Sequence, residues 1–411
     1  MNWKLIRIID AYAGIPLVYA ALWLKRLFRS SGPSEGDRTC GRILLVKFWG
    51  IGNLFMMLPS VGALRSAYPD AEIDILTLET NRSAAEYLGV FDHVYTVDTK
   101  GYLRFIGATF SMFSALRRRE YDRVIDFEQF ARYSAVATAV IGSKVTVGFM
   151  TSRQHRHLLY SHPVAYDNNI HITRSYCSLA RAAGADCAQC DVSFFLPSAR
   201  PSDAGGRGIL GGLGVPAAAT VIVMHVGTSD NFSERRWPTS SYAALADLLA
   251  GERNVRIVLT GLKEEAHLAA EVRDLASAGD RIFDASGTLT FEQYDMLIRA
   301  SALVVSADTA AVHIASAAGI PVVGLYGPNT PVLYGPWGRN GSAFYKELDC
   351  SPCITNFNAK THRCRHPEGK GACMRAITPG EVYQEICKRY LAPASAEKSP
   401  GGPVGKKSCV R

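Results

Sequence analysis

The stretch Ile43–Pro59, ILLVKFWGIGNLFMMLP, decides how the first half of this chain folds. Four large aliphatic residues are followed by a turn that contains Gly50 and Gly52, and then by a second apolar run. This order is typical of a buried strand, a tight turn and a helix. Ligands of parallel α/β sheets bind beyond the carboxyl ends of the strands. The sequence therefore predicts that the turn faces a ligand and that Asn53 lies at its tip.

The same strand-then-helix pattern recurs in two blocks. In the first block the predicted strands are Ile43–Val46, Ile73–Leu76 and Arg123–Phe127. In the second block they are Thr220–Gly227, Val255–Gly261, Ala302–Asp308 and Pro321–Gly327. Alternation of short apolar strands with amphipathic helices predicts parallel sheets covered on both faces. We therefore predict an α/β fold with two Rossmann-like, doubly wound domains that face each other across a cleft.

A stretch rich in proline, glycine and serine, Pro197–Pro216, separates the two blocks. Such a composition is typical of a hinge or linker. We predict an N-terminal domain over 41–200, a linker over 201–216 and a C-terminal domain over 217–390. The last residues, 391–411, contain few hydrophobic side chains and are predicted to be disordered.

Composition narrows the class of partner. The chain has 411 residues, of which 48% are hydrophobic and 20% charged, and its net charge is +8. Apart from Arg117–Arg119 and clusters near both ends, the basic residues are scattered and form no stripe interleaved with aromatic residues. That pattern argues against nucleic-acid binding and favours anionic small molecules or an acidic membrane surface.

Residues 1–40 differ in composition from the rest. Ala11–Leu24 carries no charge, and basic residues flank it on both sides: Lys4, Arg7, Lys25, Arg26 and Arg29. The uncharged stretch is shorter than a bilayer requires, and Gly14 and Pro16 are expected to break or kink a helix. Its aromatic residues, Trp3, Tyr12, Tyr19 and Trp23, are of the types favoured at lipid headgroups. We predict a helix lying at the membrane interface; the alternatives are a helix packed on the protein, a true span or a signal peptide.

Three polar clusters follow strands of the second block. Ser306–His313, SADTAAVH, places Asp308 and Thr309 at the start of a helix, where free amides and the helix dipole favour a diphosphate. His225–Pro238 contains arginines that could neutralise phosphate, and Gly324–Gly338 could shape the rim of a nucleotide pocket. Each cluster also has a purely structural interpretation, as a helix cap, a solvated loop or a connection. The sequence contains neither a complete G-x-G-x-x-G fingerprint nor a Walker loop, so a nicotinamide enzyme is disfavoured.

Taken in order, these motifs resemble the lipopolysaccharide heptosyltransferases of glycosyltransferase family 9. The resemblance runs from about Arg42 to about Tyr390 and includes the closing cysteine-rich segment. It implies a GT-B fold, an acceptor-binding N-terminal half and a donor-binding C-terminal half. It also implies an inverting transfer that requires no cofactor or metal for catalysis.

The resemblance assigns roles to individual positions. Arg235 matches the family's phosphate-binding basic residue before Trp-Pro, and Arg132 matches the basic residue that faces an anionic acceptor. The remaining donor-binding candidates are Thr228, Thr260, Glu265, Asp308, Thr309, Ala310 and His313. Ala310 stands where the family has glycine, and the methyl group narrows the approach to the diphosphate while leaving the amide in place.

Asn53 departs from the family pattern. Well-studied members carry aspartate at this turn, as the apparent general base, whereas an asparagine cannot take a proton at neutral pH. Three hypotheses follow. Another carboxylate could serve, with Glu128 as the candidate; the proton could leave late, to solvent or to the donor phosphate; or the protein could bind without turnover.

The cysteines form a separate motif. Cys350, Cys353, Cys364 and Cys373 lie in one segment with His362 and His366 nearby, so structural zinc or another metal, disulfides and free thiols are all open. Cys187 and Cys190 form a second C-x2-C.

The predicted protein is an inverting glycosyltransferase, peripheral to the cytoplasmic face of the inner membrane. It would move a sugar, with ADP-heptose the favoured donor, to a lipopolysaccharide-core or related anionic, lipid-linked glycan. The alternatives are a GT-B nucleotide-sugar epimerase and a catalytically silent nucleotide-sugar-binding protein.

Overall fold

A computed structural model describes residues 3–27, 40–98, 102–187, 203–228, 230–354, 364 and 366–391. In this part of the chain, twelve strands form two six-stranded parallel sheets. The first sheet contains β1 Arg42–Val46, β2 Glu72–Leu78, β3 Val94–Val97, β4 Arg123–Asp126, β5 Val145–Met150 and β6 His162–Ala165. The second contains β7 Thr220–His225, β8 Val255–Thr260, β9 Ile282–Asp284, β10 Leu303–Ala307, β11 Val322–Tyr326 and β12 Gly341–Tyr345.

Helices connect the strands and cover the sheets. Those of the first half are α1 Trp3–Leu27, α2 Ile51–Met56, α3 Leu58–Ala67, α4 Arg82–Leu88, α5 Tyr102–Arg117, α6 Arg132–Ile141 and α7 Ile172–Ala182. Those of the second half are α8 Asp203–Gly212, α9 Thr239–Ala250, α10 Ala266–Leu275, α11 Phe291–Arg299, α12 Ala310–Ala318, α13 Pro331–Tyr334, α14 Ala372–Arg375 and α15 Pro379–Ile386.

Both sheets have the doubly wound order. The strands run β3-β2-β1-β4-β5-β6 in the first sheet and β12-β11-β10-β7-β8-β9 in the second. All the strand pairs within each sheet are parallel. The order reverses beside β1 in the first sheet and between β10 and β7 in the second, which is where such sheets bind ligands. The turn after β1 and the loops after β7 and β10 therefore lie at the switch points.

The two halves meet through side chains of facing helices. The Tyr87 hydroxyl of α4 donates to Asp295 Oδ2 of α11 at 2.7 Å. The rings of Phe55 and Phe291 lie 6.1 Å apart between centroids, and His171 Nε2 lies 3.1 Å from the carbonyl oxygen of Gly335. These contacts bring the switch points of the two sheets close together.

The predicted linker is in part a packed helix. α8 lies within 201–216, and Gly206 allows its close approach to α11: a Cβ on Gly206 would lie 2.5 Å from both the Cβ of Ala300 and the carbonyl oxygen of Met296. Two of the glycines in the predicted linker, Gly205 and Gly206, therefore serve helix packing. Residues 188–202 and the predicted tail, 392–411, lie outside the described residues.

α1 is continuous through Gly14 and Pro16, so the predicted break does not occur. Pro16 removes one backbone hydrogen bond, but the helix packs against α6 and is held by Asp10. Its Oδ1 accepts a hydrogen bond from the Tyr133 amide at 3.0 Å. None of the helices in the described residues is both long and apolar enough to cross a membrane.

Candidate active site

The turn after β1 holds Asn53 in one orientation. Gly50 has a φ of 90°, a left-handed conformation that favours glycine, and its carbonyl accepts the Asn53 amide at 2.9 Å. Asn53 Nδ2 donates to the Trp49 carbonyl at 3.0 Å, and Asn53 Oδ1 accepts from the Tyr176 hydroxyl at 2.9 Å. Because the Tyr176 oxygen in turn accepts from Gln129 Nε2 at 2.9 Å, the hydroxyl proton points at Asn53. Asn53 therefore has its oxygen occupied and offers N–H groups.

Glu128, predicted as a substitute base, lies inside the protein beside the turn. Its side chain is fully buried, and Oε1 accepts the amides of Phe48 at 2.8 Å and Trp49 at 3.0 Å. Oε2 pairs with the equally buried Lys47 Nζ at 3.2 Å. Burial lowers the pKa of Lys47. The carboxylate thus holds the backbone of the turn that carries Asn53.

Arg132, predicted to bind the acceptor, contacts other residues of the protein in this structure. Its side chain is one-tenth exposed and pairs with Asp10 Oδ2 of α1 at 3.5 Å. It donates further hydrogen bonds to the carbonyls of Asp10, Arg153 and Gln154. Burial, the largest effect, raises the pKa of Asp10 despite the neighbouring guanidinium. Arg132 therefore anchors α1 on α6.

In the second sheet, the polar cluster after β10 forms as predicted. Thr309 caps α12 and accepts the Ala311 amide on its hydroxyl at 3.2 Å. Asp308 Oδ2 accepts from Arg235 Nη1 at 3.2 Å and from Asn329 Nδ2 at 2.9 Å. The structure thus brings a helix N-terminus, a carboxylate and an arginine to one point. Asn329 comes from the predicted rim loop Gly324–Gly338 but was not singled out by the sequence analysis.

A second group of polar side chains lies at the ends of β7, β8 and β9. Glu265 Oε1 and the hydroxyl oxygens of Thr228 and Ser286 are buried and have no hydrogen-bond partner among the described residues. Glu265 is 5% exposed and its other oxygen accepts the Leu262 amide at 3.0 Å. Buried polar atoms usually have partners, so three such atoms in one place indicate a site for a polar ligand.

Glycines make room for this group. A Cβ on Gly227 would lie 2.0 Å from Glu265 Oε2, and a Cβ on Gly261 would lie 3.7 Å from the Ser286 hydroxyl. Ser286 was missed by the sequence analysis; the Ser-Gly-Thr turn that follows β9 was the available signal.

Thr260, a predicted donor-binding residue, lies at the end of β8 beside His225. Its hydroxyl contacts His225 Nδ1 at 3.1 Å, and the same nitrogen lies 3.1 Å from the Tyr294 hydroxyl. Burial lowers the pKa of His225 to about 4. His225 is therefore neutral at physiological pH, so its contact with Thr260 involves two uncharged side chains.

The two halves of the site touch at Gly52 and α12. A Cβ on Gly52 would lie 2.7 Å from Cδ2 of His313 and 3.2 Å from Cα of Ala310. His313 is 4% exposed. The turn that carries Asn53 therefore lies directly against the first turn of α12.

The cysteine-rich segment lies beside the site. Cys350, Cys353, Cys364 and Cys373 line one small pocket with His366 and Glu234. Burial, the largest effect, raises the pKa of Cys353 and of Cys373 to about 11. None of the four forms a disulfide with a described residue, and within the described residues no group of three or more potential ligands is arranged to hold a metal ion. Structural zinc thus has no geometric support; His362 lies outside the described residues.

The other predicted cysteine pair is not formed as a local motif. Cys187 is joined by a disulfide to Cys177 of α7, while Cys190 lies outside the described residues. The partner ten positions earlier was not predictable from the C-x2-C spacing.

Comparison with known sequences identifies one family. The sequence profile of glycosyltransferase family 9 (heptosyltransferase) matches residues 109–362. Lipopolysaccharide heptosyltransferase 1 of Salmonella typhimurium is 24% identical over 318 residues, which cover 76% of this chain and 94% of that protein.

Solved structures show the same architecture. A glycosyltransferase family 9 protein from Veillonella parvula has a TM-score of 0.69 at 18% identity, covering 85% of this chain and 97% of that one. The E. coli heptosyltransferase WaaC with ADP-2-deoxy-2-fluoro heptose has a TM-score of 0.63 at 21% identity, covering 84% of this chain and 99% of that one. Together with the two facing doubly wound sheets, these likenesses confirm the predicted GT-B fold.

Proposed function

This chain belongs to glycosyltransferase family 9 and is a glycosyltransferase, and from that premise we propose that it transfers heptose from ADP-heptose to a glycan acceptor. The acceptor would be a lipopolysaccharide core or a related anionic, lipid-linked glycan. Relatives named as lipopolysaccharide heptosyltransferases favour this donor and acceptor. The observation that carries the proposal is the joint position of Arg235, Asp308 and the N-terminus of α12 at the switch point.

The diphosphate would bind at the start of α12. The amides of the first turn and the guanidinium of Arg235 offer charge-assisted hydrogen bonds, which are stronger than neutral ones. Thr309 and Ala310 lie at this start, and Ala310 leaves its backbone amide available in place of the usual glycine. The same groups would neutralise the charge that develops on the departing diphosphate.

The nucleoside would occupy the polar pocket at the ends of β7 to β9. Glu265 Oε1 would accept from ribose hydroxyls, and the hydroxyls of Thr228 and Ser286 would complete the hydrogen bonding of the nucleoside. Binding would satisfy three buried polar atoms, each of which costs about 1 to 3 kcal/mol when left unpaired.

The reaction would be a single displacement with inversion. The acceptor oxygen attacks the anomeric carbon from the N-terminal half, while the bond to the diphosphate breaks on the side of α12. Orientation of the two substrates across the cleft would supply a large part of the rate enhancement.

Calorimetric titration of the full-length protein with ADP, UDP and GDP tests the donor. We expect ADP and ADP-heptose to bind, and UDP and GDP to bind at least about tenfold more weakly. Preference for UDP or GDP would be consistent with the proposed sugar transfer but would indicate a different donor. Binding without any turnover would instead support the silent nucleotide-sugar-binding protein, which only Asn53 and Ala310 favour.

We also propose that α1 attaches the enzyme to the cytoplasmic face of the inner membrane. One side of α1, including Val18 and Ala21, is buried against the protein. The opposite side exposes apolar and aromatic residues: Tyr12 at 80%, Leu17 at 50%, Tyr19 at 48%, Trp23 at 62% and Leu24 at 45%. Aromatic residues beside basic flanks suit the headgroup region of an anionic bilayer.

Replacing Tyr12, Leu17 and Trp23 together by serine is expected to weaken vesicle binding at least about tenfold, because apolar area no longer leaves water. Co-sedimentation with vesicles of phosphatidylglycerol and phosphatidylethanolamine measures the change. The matched control replaces exposed leucines of the C-terminal half, Leu248, Leu262 and Leu275, by serine. Equal binding by both triple variants would refute the proposed attachment.

A further inference from the structure

We propose that α1 and the segment that follows β5 form one membrane-binding surface, which turns the acceptor side of the cleft toward an anionic bilayer. The inference deepens the proposed attachment of α1, and it rests on that attachment and on the proposed transfer to a lipid-linked acceptor. Residues 150–158 are called the β5 segment below. The exposed side chains of α1 and of the β5 segment together are called the bilayer face.

Exposed hydrophobic side chains of the N-terminal half are confined to the bilayer face. Among the residues of this half whose side chains the structure describes, the large hydrophobic ones that are exposed lie either on α1 or in the β5 segment. In the β5 segment they are Met150 at 44% and Leu158 at 36%. On α1 the aromatic ones are Tyr12, Tyr19 and Trp23, whose spacing of seven and four residues places them on one side of the helix.

The two parts of the bilayer face are in direct contact. The Tyr19 hydroxyl lies 3.2 Å from Nδ1 of His155 in the β5 segment, and the centroids of the two rings are 5.9 Å apart. On the buried side of α1, Val18 and Ala21 share one hydrophobic cluster with Leu159, which directly follows the β5 segment. The exposed residues therefore form one continuous surface, and exposed apolar surface of this kind marks a protein or membrane interaction site.

The charges of both segments favour an anionic bilayer over a protein partner. The sequence over 129–166, which includes the β5 segment, contains no aspartate or glutamate. The sequence of α1 contains one acidic residue, Asp10, and its carboxylate pairs with Arg132 at 3.5 Å. Arg153 is exposed in the β5 segment, and basic residues lie near both ends of α1 in the sequence. Basic and aromatic residues without acidic ones suit the headgroup region of anionic lipids.

The bilayer face adjoins the edge of the first sheet where the acceptor would bind. The β5 segment begins at the carboxyl end of β5, and the turn that carries Asn53 begins at the carboxyl end of β1 in the same parallel sheet. Asp10 accepts the amide of Tyr133 in the first turn of α6, which follows β4 beside β1. The Tyr133 ring lies 5.1 Å from the ring of Phe48, just after β1. A lipid-linked acceptor would therefore reach the turn without leaving the bilayer.

One acceptor offered in two physical forms tests this geometry. Lipopolysaccharide from a heptose-deficient bacterium is either embedded in vesicles of phosphatidylglycerol and phosphatidylethanolamine or freed of its acyl chains by alkali, as a soluble glycan. For the triple variant Met150→Ser, Arg153→Ser, Leu158→Ser, we expect kcat/KM with the embedded acceptor to fall at least about tenfold, because apolar contact and one positive charge are lost. With the soluble glycan, kcat/KM should change less than about twofold.

The matched control removes two exposed leucines and one exposed arginine of the C-terminal half: Leu248→Ser, Arg273→Ser, Leu275→Ser. It should retain kcat/KM with both acceptor forms, and thermal unfolding checks that both triple variants are folded. A loss on the embedded acceptor no larger than that of the control would overturn the inference. An equal loss on both acceptor forms would also overturn it, since the β5 segment would then contact the glycan itself.

Hydrogen exchange of the unaltered full-length protein gives an independent measurement. Vesicles are expected to slow amide exchange in α1 and in the β5 segment, and to leave exchange around Leu275 unchanged. Unchanged exchange in the β5 segment of protein that sediments with vesicles would overturn the inference while retaining the attachment through α1. Failure to sediment would instead refute the attachment, and absence of turnover with either acceptor form would refute the proposed transfer.

Discussion

Arg235→Ala is expected to weaken ADP binding about 10- to 100-fold, which corresponds to the loss of one charge-assisted interaction of about 1.5 to 3 kcal/mol. In the free protein Arg235 Nη1 lies 3.2 Å from Asp308 Oδ2, beside the cap of α12. A diphosphate arriving at that helix start would meet the guanidinium directly. Isothermal titration of the variant with ADP measures the loss.

Adenosine provides the internal control for this prediction. It lacks the phosphates, so its affinity is expected to change less than about threefold in Arg235→Ala. The exposed Arg273 of α10, changed to alanine, controls for the loss of one positive charge. If adenosine and ADP lose affinity equally, Arg235 supports the pocket as a whole and does not bind phosphate.

Glu128→Gln is expected to lower the free energy of unfolding by about 3 kcal/mol, since it leaves the buried Lys47 without its counter-charge. Both side chains are almost fully buried and lie 3.2 Å apart. Glutamine can still accept the amides of Phe48 and Trp49 on its oxygen, so the main loss is the ion pair. The midpoint of thermal unfolding should fall by roughly 6 to 12 °C.

The double variant Lys47→Met, Glu128→Gln tests whether the unpaired charge of Lys47 causes the loss of stability. Removing both charges should return most of the lost stability, because a neutral pair carries no desolvation cost. A catalytic role for Glu128 predicts the reverse pattern, with normal stability and a kcat reduced 10² to 10⁴-fold. Calorimetry and transfer assays on the same preparations distinguish the two.

The fold was largely predictable because short apolar runs in the sequence mark most of its strands. Each long apolar run that we expected to form a strand does so, including Ile43–Val46 within β1 and Ala302–Asp308 around β10. The strands that the sequence analysis did not predict are β3, β5, β6, β9 and β12. Most of them are short or polar edge strands: β6 exposes both His162 and Pro163, so no buried apolar run marks it.

The candidate site was predictable where its residues are contiguous in the sequence. Asp308, Thr309 and the start of α12 are contiguous, so a strand end followed by a helix start fixed their relation in advance. The contacts of Arg132 and Glu128 were not predictable because their partners are distant in sequence. Arg132 meets Asp10, and Glu128 meets Lys47, only after α1 and β1 have packed beside their neighbours.

By itself, the sequence determined the alternation of strands and helices and the family. It also determined that the turn after β1 carries the side-chain amide of Asn53. Each of these depends on residue type and order. The tertiary structure alone decided which charged groups are available for chemistry. Burial and pairing are set by contacts between segments far apart in the chain, and they place Glu128 inside the protein while bringing His313 to Gly52. The burial of Glu128 and its pairing with Lys47 depend on how distant segments pack, which the order of residues does not show.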